Sequence, residues 1–186
     1  YSFFIIIVFL ILFIEFNNLT KKIWKNKKNL IATINLISLI FLVIIIFISY
    51  DFYRKPPIGL IFIFLICIFS DIGGYVIGNL IGGKKLTKIS PNKTYSGSIG
   101  SLILTSIIIS SFFVKFVGSF NYKIILMSMV VSIFCQLGDL LFSILKRKAK
   151  LKDTGNFLPG HGGILDRLDG VFFGIPAGYL FLILLN

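Results

Sequence analysis

Apolar runs of membrane-spanning length dominate this chain and leave it few possible folds. Six can be marked, from about Tyr1 to Phe16, Leu30 to Tyr50, Ile58 to Ile81, Ile99 to Val117, Ile124 to Leu145 and Leu168 to Leu185. A hydrocarbon core about 30 Å thick takes roughly 20 apolar residues of helix to cross. Inside it, a helix satisfies its own backbone polar groups. A water-soluble fold would have to enclose a chain that is 56 % hydrophobic with a mean hydropathy of +0.97, and 186 residues are too few to surround such a core. The chain therefore reads as an all-α, polytopic helical membrane protein, a single integral-membrane domain over residues 1–186 with about six transmembrane helices. It opens at Tyr1 inside an apolar run, with no basic flank before that run and no A-x-A-like site after it. That reads as an N-terminally truncated chain rather than as a signal peptide.

The net charge of +12 would suggest a nucleic-acid partner in a soluble protein. Here the cations follow the loops, and no nucleic-acid partner is expected. The first loop carries Lys21, Lys22, Lys25, Lys27 and Lys28, and the third carries Lys84, Lys85, Lys88 and Lys93. The fifth carries Lys146, Arg147, Lys148, Lys150, Lys152 and Arg167, while the second and fourth share only Arg54, Lys55, Lys115 and Lys123. Basic loops stay cytoplasmic, so the odd loops face the cytoplasm and the C-terminus faces outward. Cys67 and Cys135 lie within apolar runs and form no C-x-x-C pair, which reads as buried thiols without a disulfide or zinc site.

Gly74, Gly78 and Gly82, and again Gly170, Gly174 and Gly178, recur at a spacing of four. Each trio marks a helix face where backbones approach closely. Pro176 falls within the last run, where a kink in the helix is expected.

Charge inside so apolar a chain is costly and points to function. Asp71, Asp139, Asp166 and Asp169 lie within or at the ends of apolar runs. Gln136, Asp139 and Ser143 share one helix face, as do Asp166 and Asp169. The segment from Ser143 to Asp169, SILKRKAKLKDTGNFLPGHGGILDRLD, adds a dense set of cations and the single histidine, His161. Carboxylates alone would suit an ion or proton relay. Carboxylates among many cations suit a phosphorylated substrate, with magnesium on the acids and Lys or Arg on the phosphates. Gly160, Gly162 and Gly163 would let backbone N–H groups approach an anion. Asn92-Lys93-Thr94 matches a glycosylation sequon, but it falls in a loop read as cytoplasmic. A transporter or channel remains the alternative class; it predicts charges spread through several helices at mid-membrane, whereas these gather near one face.

The segment from Ser143 to Asp169 resembles the signature of phosphatidate cytidylyltransferases (CDP-diacylglycerol synthases), S-x-x-K-R-x4-K-D-x-G-x2-L-P-G-H-G-G-x-L-D-R-x-D. Every fixed position is met. Ser70-Asp71-Ile72-Gly73-Gly74-Tyr75 is similar to the family's SD-x-x-AY segment, with Gly74 for alanine. The stretch from Ile89 to Gly97 is similar to ISPKKTWEG, with Tyr95 for tryptophan and Ser96 for glutamate. Gln136-Leu137-Gly138-Asp139 matches Q-x-G-D. The resemblance covers about residues 70–179.

It implies transfer of a cytidylyl group from CTP to phosphatidate, giving CDP-diacylglycerol and pyrophosphate in phospholipid biosynthesis. It implies magnesium on Asp139 and Asp166, with a potassium ion sharing that site. It also implies a homodimer in the bacterial inner membrane, in contact with membrane lipid, its active site facing the cytoplasm. The catalytic set carried over is Asp139, Asp166, Lys152, Asp153 and Arg167. The substrate-binding set is Asp71, Ser90, Lys93, Thr94, Ser143, Lys146, Arg147, His161, Gly162, Gly163 and Asp169. Two related activities stay open beside it: a CTP-dependent kinase of a polyprenol or similar lipid alcohol, and cytidylyl transfer to an ether lipid.

Overall fold

A computed structural model describes residues 2–54, 58–87, 90, 93–155, 157 and 162–184, the side chains of residues 2–5 and 53 excepted. The apolar runs become helices: α1 (Ser2–Ile23), α2 (Lys28–Arg54), α3 (Ile58–Ile81), α4 (Tyr95–Val117), α5 (Tyr122–Lys148), the short α6 (Leu165–Leu168) and α7 (Val171–Leu184). Among the described residues, five stretches are long and apolar enough to cross a membrane: Lys28–Phe52, Ile58–Ile81, Tyr95–Val117, Tyr122–Lys148 and Leu165–Leu184. The protein is an integral membrane protein. Several boundaries differ from the sequence expectation by a few residues, and two of them bear on the site. Helix α1 runs on past Phe16 to Ile23, and so takes Lys21 and Lys22 into its last turn. The last span begins at Leu165 and is broken at Asp169–Gly170, where the Asp169 side chain accepts the Gly170 N–H at 2.8 Å.

Local chemistry sets the helix ends. Thr94 is extended and its hydroxyl accepts the Gly97 N–H at 3.0 Å, capping α4. Gly118 ends that helix in the left-handed region at φ 78°. Asn121 caps α5, and Lys146, Arg147 and Lys148 fill its last turn, where cations suit the negative end of the helix dipole.

Helix α3 is the hub, packed against α4, α5 and α7. Its seam with α4 depends on glycine: a Cβ on Gly97 would lie 2.6 Å from the Gly74 carbonyl oxygen and 3.1 Å from Gly78 Cα. Gly82, expected on the same face, lies just beyond the end of α3 at φ 63°. In the second trio, Gly174 packs on the Cys67 and Cys135 sulfurs and Gly178 on Ile63 and Val131. Both cysteines are buried free thiols, and that of Cys135 donates to that of Cys67. The core between these helices is made of Ile63, Ile66, Ile109, Met127, Val131 and Cys135. Helix α1 joins α2 through Asn35, which donates to the Asn17 side chain at 2.8 Å and accepts from Thr20 at 3.1 Å.

Candidate active site

At one end of the bundle, α3, α4, α5 and the α3–α4 loop enclose a cleft of about 270 Å³. Its walls include Asp71 from α3, Ser90 and Lys93 from the loop, Thr94 and Ser98 from the start of α4, and Gln136 and Asp139 from α5. A short antiparallel contact shapes the loop: Leu86 N–H donates to Lys93 O at 2.7 Å and Tyr95 N–H to Lys84 O at 3.1 Å. Ser96, which stands where the resemblance has glutamate, donates its hydroxyl to the Gly82 carbonyl.

Under the cleft is a network of hydroxyls. Ser70 lies 2.7 Å from Ser132 and 3.0 Å from Ser101, and Ser101 donates to the Ser70 carbonyl at 2.8 Å. All three are essentially sealed from solvent. Above them Gln136 accepts the Ser98 hydroxyl and donates to the Ser98 carbonyl at 3.3 Å. A polar group buried among helices is tolerated when it is paired, and this network ties α3, α4 and α5 together below the acids.

Gln136, Asp139, Ser143 and Lys146 follow one face of α5 at helical spacing, and the charged groups are arranged around that face. Asp139 forms an ion pair with Lys93, both partly exposed, and lies 3.5 Å from the Ser143 hydroxyl. Asp71 lines the same cleft as Asp139. One turn further on, Lys146 lies 2.9 Å from Asp166 Oδ1 and 3.7 Å from Asp169 Oδ2. The second oxygen of Asp166 accepts from Thr154 N–H at 2.8 Å, Gly163 N–H at 2.9 Å and Thr154 Oγ1 at 3.0 Å. Asp166 is therefore the knot that ties the two arms of the signature segment to α5. Gly162 turns beside it at φ 86°, and a Cβ there would meet Asp166 Oδ2 at 3.0 Å and Asp153 at 3.2 Å.

The expected site residues thus fall into three groups. Asp71, Ser90, Lys93, Thr94 and Asp139 meet at the cleft, with Ser143 beside Asp139. Lys146, Gly162, Gly163, Asp166 and Asp169 meet around α6. Arg147, Lys152, Asp153 and Arg167 are exposed at its rim, where Arg147 donates to the Leu151 carbonyl at 3.4 Å. His161 lies outside the described residues, as do Asn92 and Gly160.

Four carboxyl groups and two ammonium groups make this arrangement, and every ligand atom the acids present is a hard oxygen. That donor set suits magnesium better than a soft metal. Among the described residues, however, no three acidic, histidine or cysteine side chains are close enough to form a ligand cage by themselves. Magnesium bound through one or two carboxylates, with substrate phosphates completing its shell, asks for no such cage.

The profile of the cytidylyltransferase family matches residues 1–185. This chain belongs to that family. Its relatives include a phosphatidate cytidylyltransferase of Staphylococcus haemolyticus, 45 % identical over 128 residues, which are 67 % of this chain and 48 % of that protein. One of Bacillus subtilis is 41 % identical over 133 residues, 69 % of this chain and 49 % of the relative. One of Helicobacter pylori is 38 % identical over 132 residues, 69 % and 48 % respectively. The chain spans about half the length of the curated relatives it matches.

The sequence missed four contributors. Glu15 is a buried acid on α1 whose carboxyl accepts the Leu165 N–H at 2.8 Å and the Ile164 N–H at 3.2 Å. It is the one acid in the first apolar run, and that was the available signal. Thr154 occupies an unspecified position of the signature. Ser101 and Ser132 are small polar residues within apolar helices, with nothing in the sequence to link them.

Proposed function

We propose that the protein transfers the cytidylyl group of CTP to phosphatidate, giving CDP-diacylglycerol and pyrophosphate. The observation that carries the reading is that family membership and geometry meet at one place. Lys93 with Asp139, and Lys146 with Asp166 and Asp169, combine anion-binding and cation-binding groups at the same end of the bundle. A phosphate oxygen of phosphatidate attacks the α-phosphorus of CTP, the bond to the β-phosphate oxygen breaks, and pyrophosphate leaves. The nucleophile comes from the lipid, so the protein's task is alignment and charge neutralisation.

In this reading Lys93 and Lys146 receive phosphate oxygens, and Asp71, Ser90, Thr94, Ser143 and Asp169 line the bound substrates. Arg147, Lys152 and Arg167 gather the triphosphate from the rim. Asp153, Gly162 and Gly163 shape the loop over the nucleotide, and His161 belongs to the same loop. Asp139 and Asp166 would hold magnesium, and a potassium ion would share that site; a divalent ion there would polarise phosphoryl oxygens and stabilise the departing pyrophosphate.

The cation bias of the loops supports an active site facing the cytoplasm of a bacterial inner membrane. A cysteine placed at Asn92 is then labelled from the cytoplasmic side, and the buried native thiols leave the reading clear; labelling from outside overturns that orientation. The proposed assembly is a homodimer, which cross-linking in the membrane tests. For the activity, membranes containing the full-length protein are given labelled CTP, phosphatidate and magnesium. Label in a CDP-lipid with stoichiometric pyrophosphate supports the reading. A phosphorylated lipid alcohol with CDP released would instead mean a kinase.

A further inference from the structure

Glu15 lies on α1, about 150 residues from the groups it contacts, and is only 6 % exposed. Its two carboxyl oxygens accept from successive backbone groups, Oε1 from Ile164 N–H and Oε2 from Leu165 N–H. Both arms of the signature segment close on it. A Cβ on Gly163 would lie 2.7 Å from each Glu15 oxygen, and one on Gly155 would lie 2.6 Å from Oε1. Asp166 follows Leu165 directly, and the Gly163 N–H donates to Asp166 on the opposite side of the same turn.

We propose that Glu15 is a positioning residue for cytidylyl transfer: by gripping Ile164 and Leu165 it fixes the turn that presents Asp166 and Asp169 to Lys146. The proposal rests on the reading of the site given above. A carboxyl buried between helices is costly unless its oxygens are used, and here both are. Its grip differs in kind from packing, because it acts on the backbone next to Asp166 and from an element that contributes nothing else to the cluster. The two glycines give way to it, so the fit is specific to a side chain of this reach. A glutamine would keep the volume but set an amide N–H₂ against one of the two backbone N–H groups, donor facing donor.

The test uses the full-length protein in membranes or detergent, with Glu15→Gln as the first variant. Gly155→Ala, which pushes on the same carboxyl from the other arm, is the second. Backbone hydrogen exchange over residues 162–168 and steady-state rates with CTP and phosphatidate are read in parallel. The expected result is faster exchange at Ile164 and Leu165 with exchange in α3, α4 and α5 unchanged. A fall in kcat of roughly ten- to a hundredfold should accompany it, the range one hydrogen bond to a charged group covers, with a smaller change in KM for CTP. Unchanged exchange at Ile164 and Leu165 overturns the grip. Faster exchange there with normal kcat overturns the positioning role. Faster exchange throughout all helices reduces Glu15 to packing and overturns the proposal as well. A wild-type protein without cytidylyl transfer would sink the functional reading and with it the catalytic role, while the exchange arm still reports whether Glu15 grips the turn.

Discussion

The cleft and the α6 knot contain the same kinds of groups, acids beside lysines, yet they are built differently. At the cleft, Asp139 has Lys93 and a distant Ser143 hydroxyl, and Asp71 opens onto the cavity. At the knot, Asp166 has all its partners in place: one ammonium, two backbone N–H groups and one hydroxyl. The loosely held acid can exchange its lysine for a ligand at little cost. The fully held acid organises a segment and cannot change partners without loosening it. The lesson is that two aspartates proposed for one reaction can differ in their role in the fold.

The largest expected effects are at these two acids. Asp139→Asn and Asp166→Asn should each reduce cytidylyl transfer by well over about a hundredfold, since each removes charge from a proposed magnesium site. In the double variant the losses should not multiply. Stability separates the two. Asp139→Asn should leave thermal stability nearly unchanged, whereas Asp166→Asn should lower it by roughly 1–3 kcal/mol as buried donors lose a charged acceptor. Equal stability loss in both variants would erase the contrast. Near-normal magnesium-dependent turnover in either would remove that residue from the metal site.

Next in size is Gly97→Ala. Its methyl would press on the Gly74 carbonyl, so α3 and α4 must separate, at a cost of about 1–3 kcal/mol. The cleft lies on this seam and the knot does not. The variant should therefore weaken CTP use while leaving hydrogen exchange around α6 as it was. Faster exchange at residues 162–168 would show that the two regions are one mechanical unit.

A smaller effect is expected at Lys93. Removing one phosphate-binding ammonium in Lys93→Ala should raise KM for CTP about tenfold, with insertion and stability intact. A normal KM would leave Lys93 as a charge that orients the loop.

Much of this was legible before the structure. Apolar length gave the helices, since a membrane span must be continuous. Helical spacing put Gln136, Asp139 and Ser143 on one face, and the glycine spacing anticipated the close contacts of Gly74, Gly78 and Gly174. What escaped was set by tertiary contact alone. Glu15 is an isolated acid whose partners are backbone groups of the last span, and backbone groups leave no mark in sequence. Ser101 and Ser132 acquire meaning only beside Ser70. The break at Asp169–Gly170 was hidden because the i, i+3 spacing of Asp166 and Asp169 suits one continuous helix face, and the α1 boundary because lysines at its end resemble a loop.

The account stands on the claim that the acids and lysines of α5 and α6 carry out cytidylyl transfer. The most direct test is incorporation of labelled CTP into lipid by membranes containing the full-length protein, with phosphatidate and magnesium, beside membranes containing the Asp139→Asn variant at equal abundance. The prediction is a labelled CDP-lipid and pyrophosphate in equal amounts from the first, and essentially none from the second. Equal labelling from both, or none from either, would contradict it.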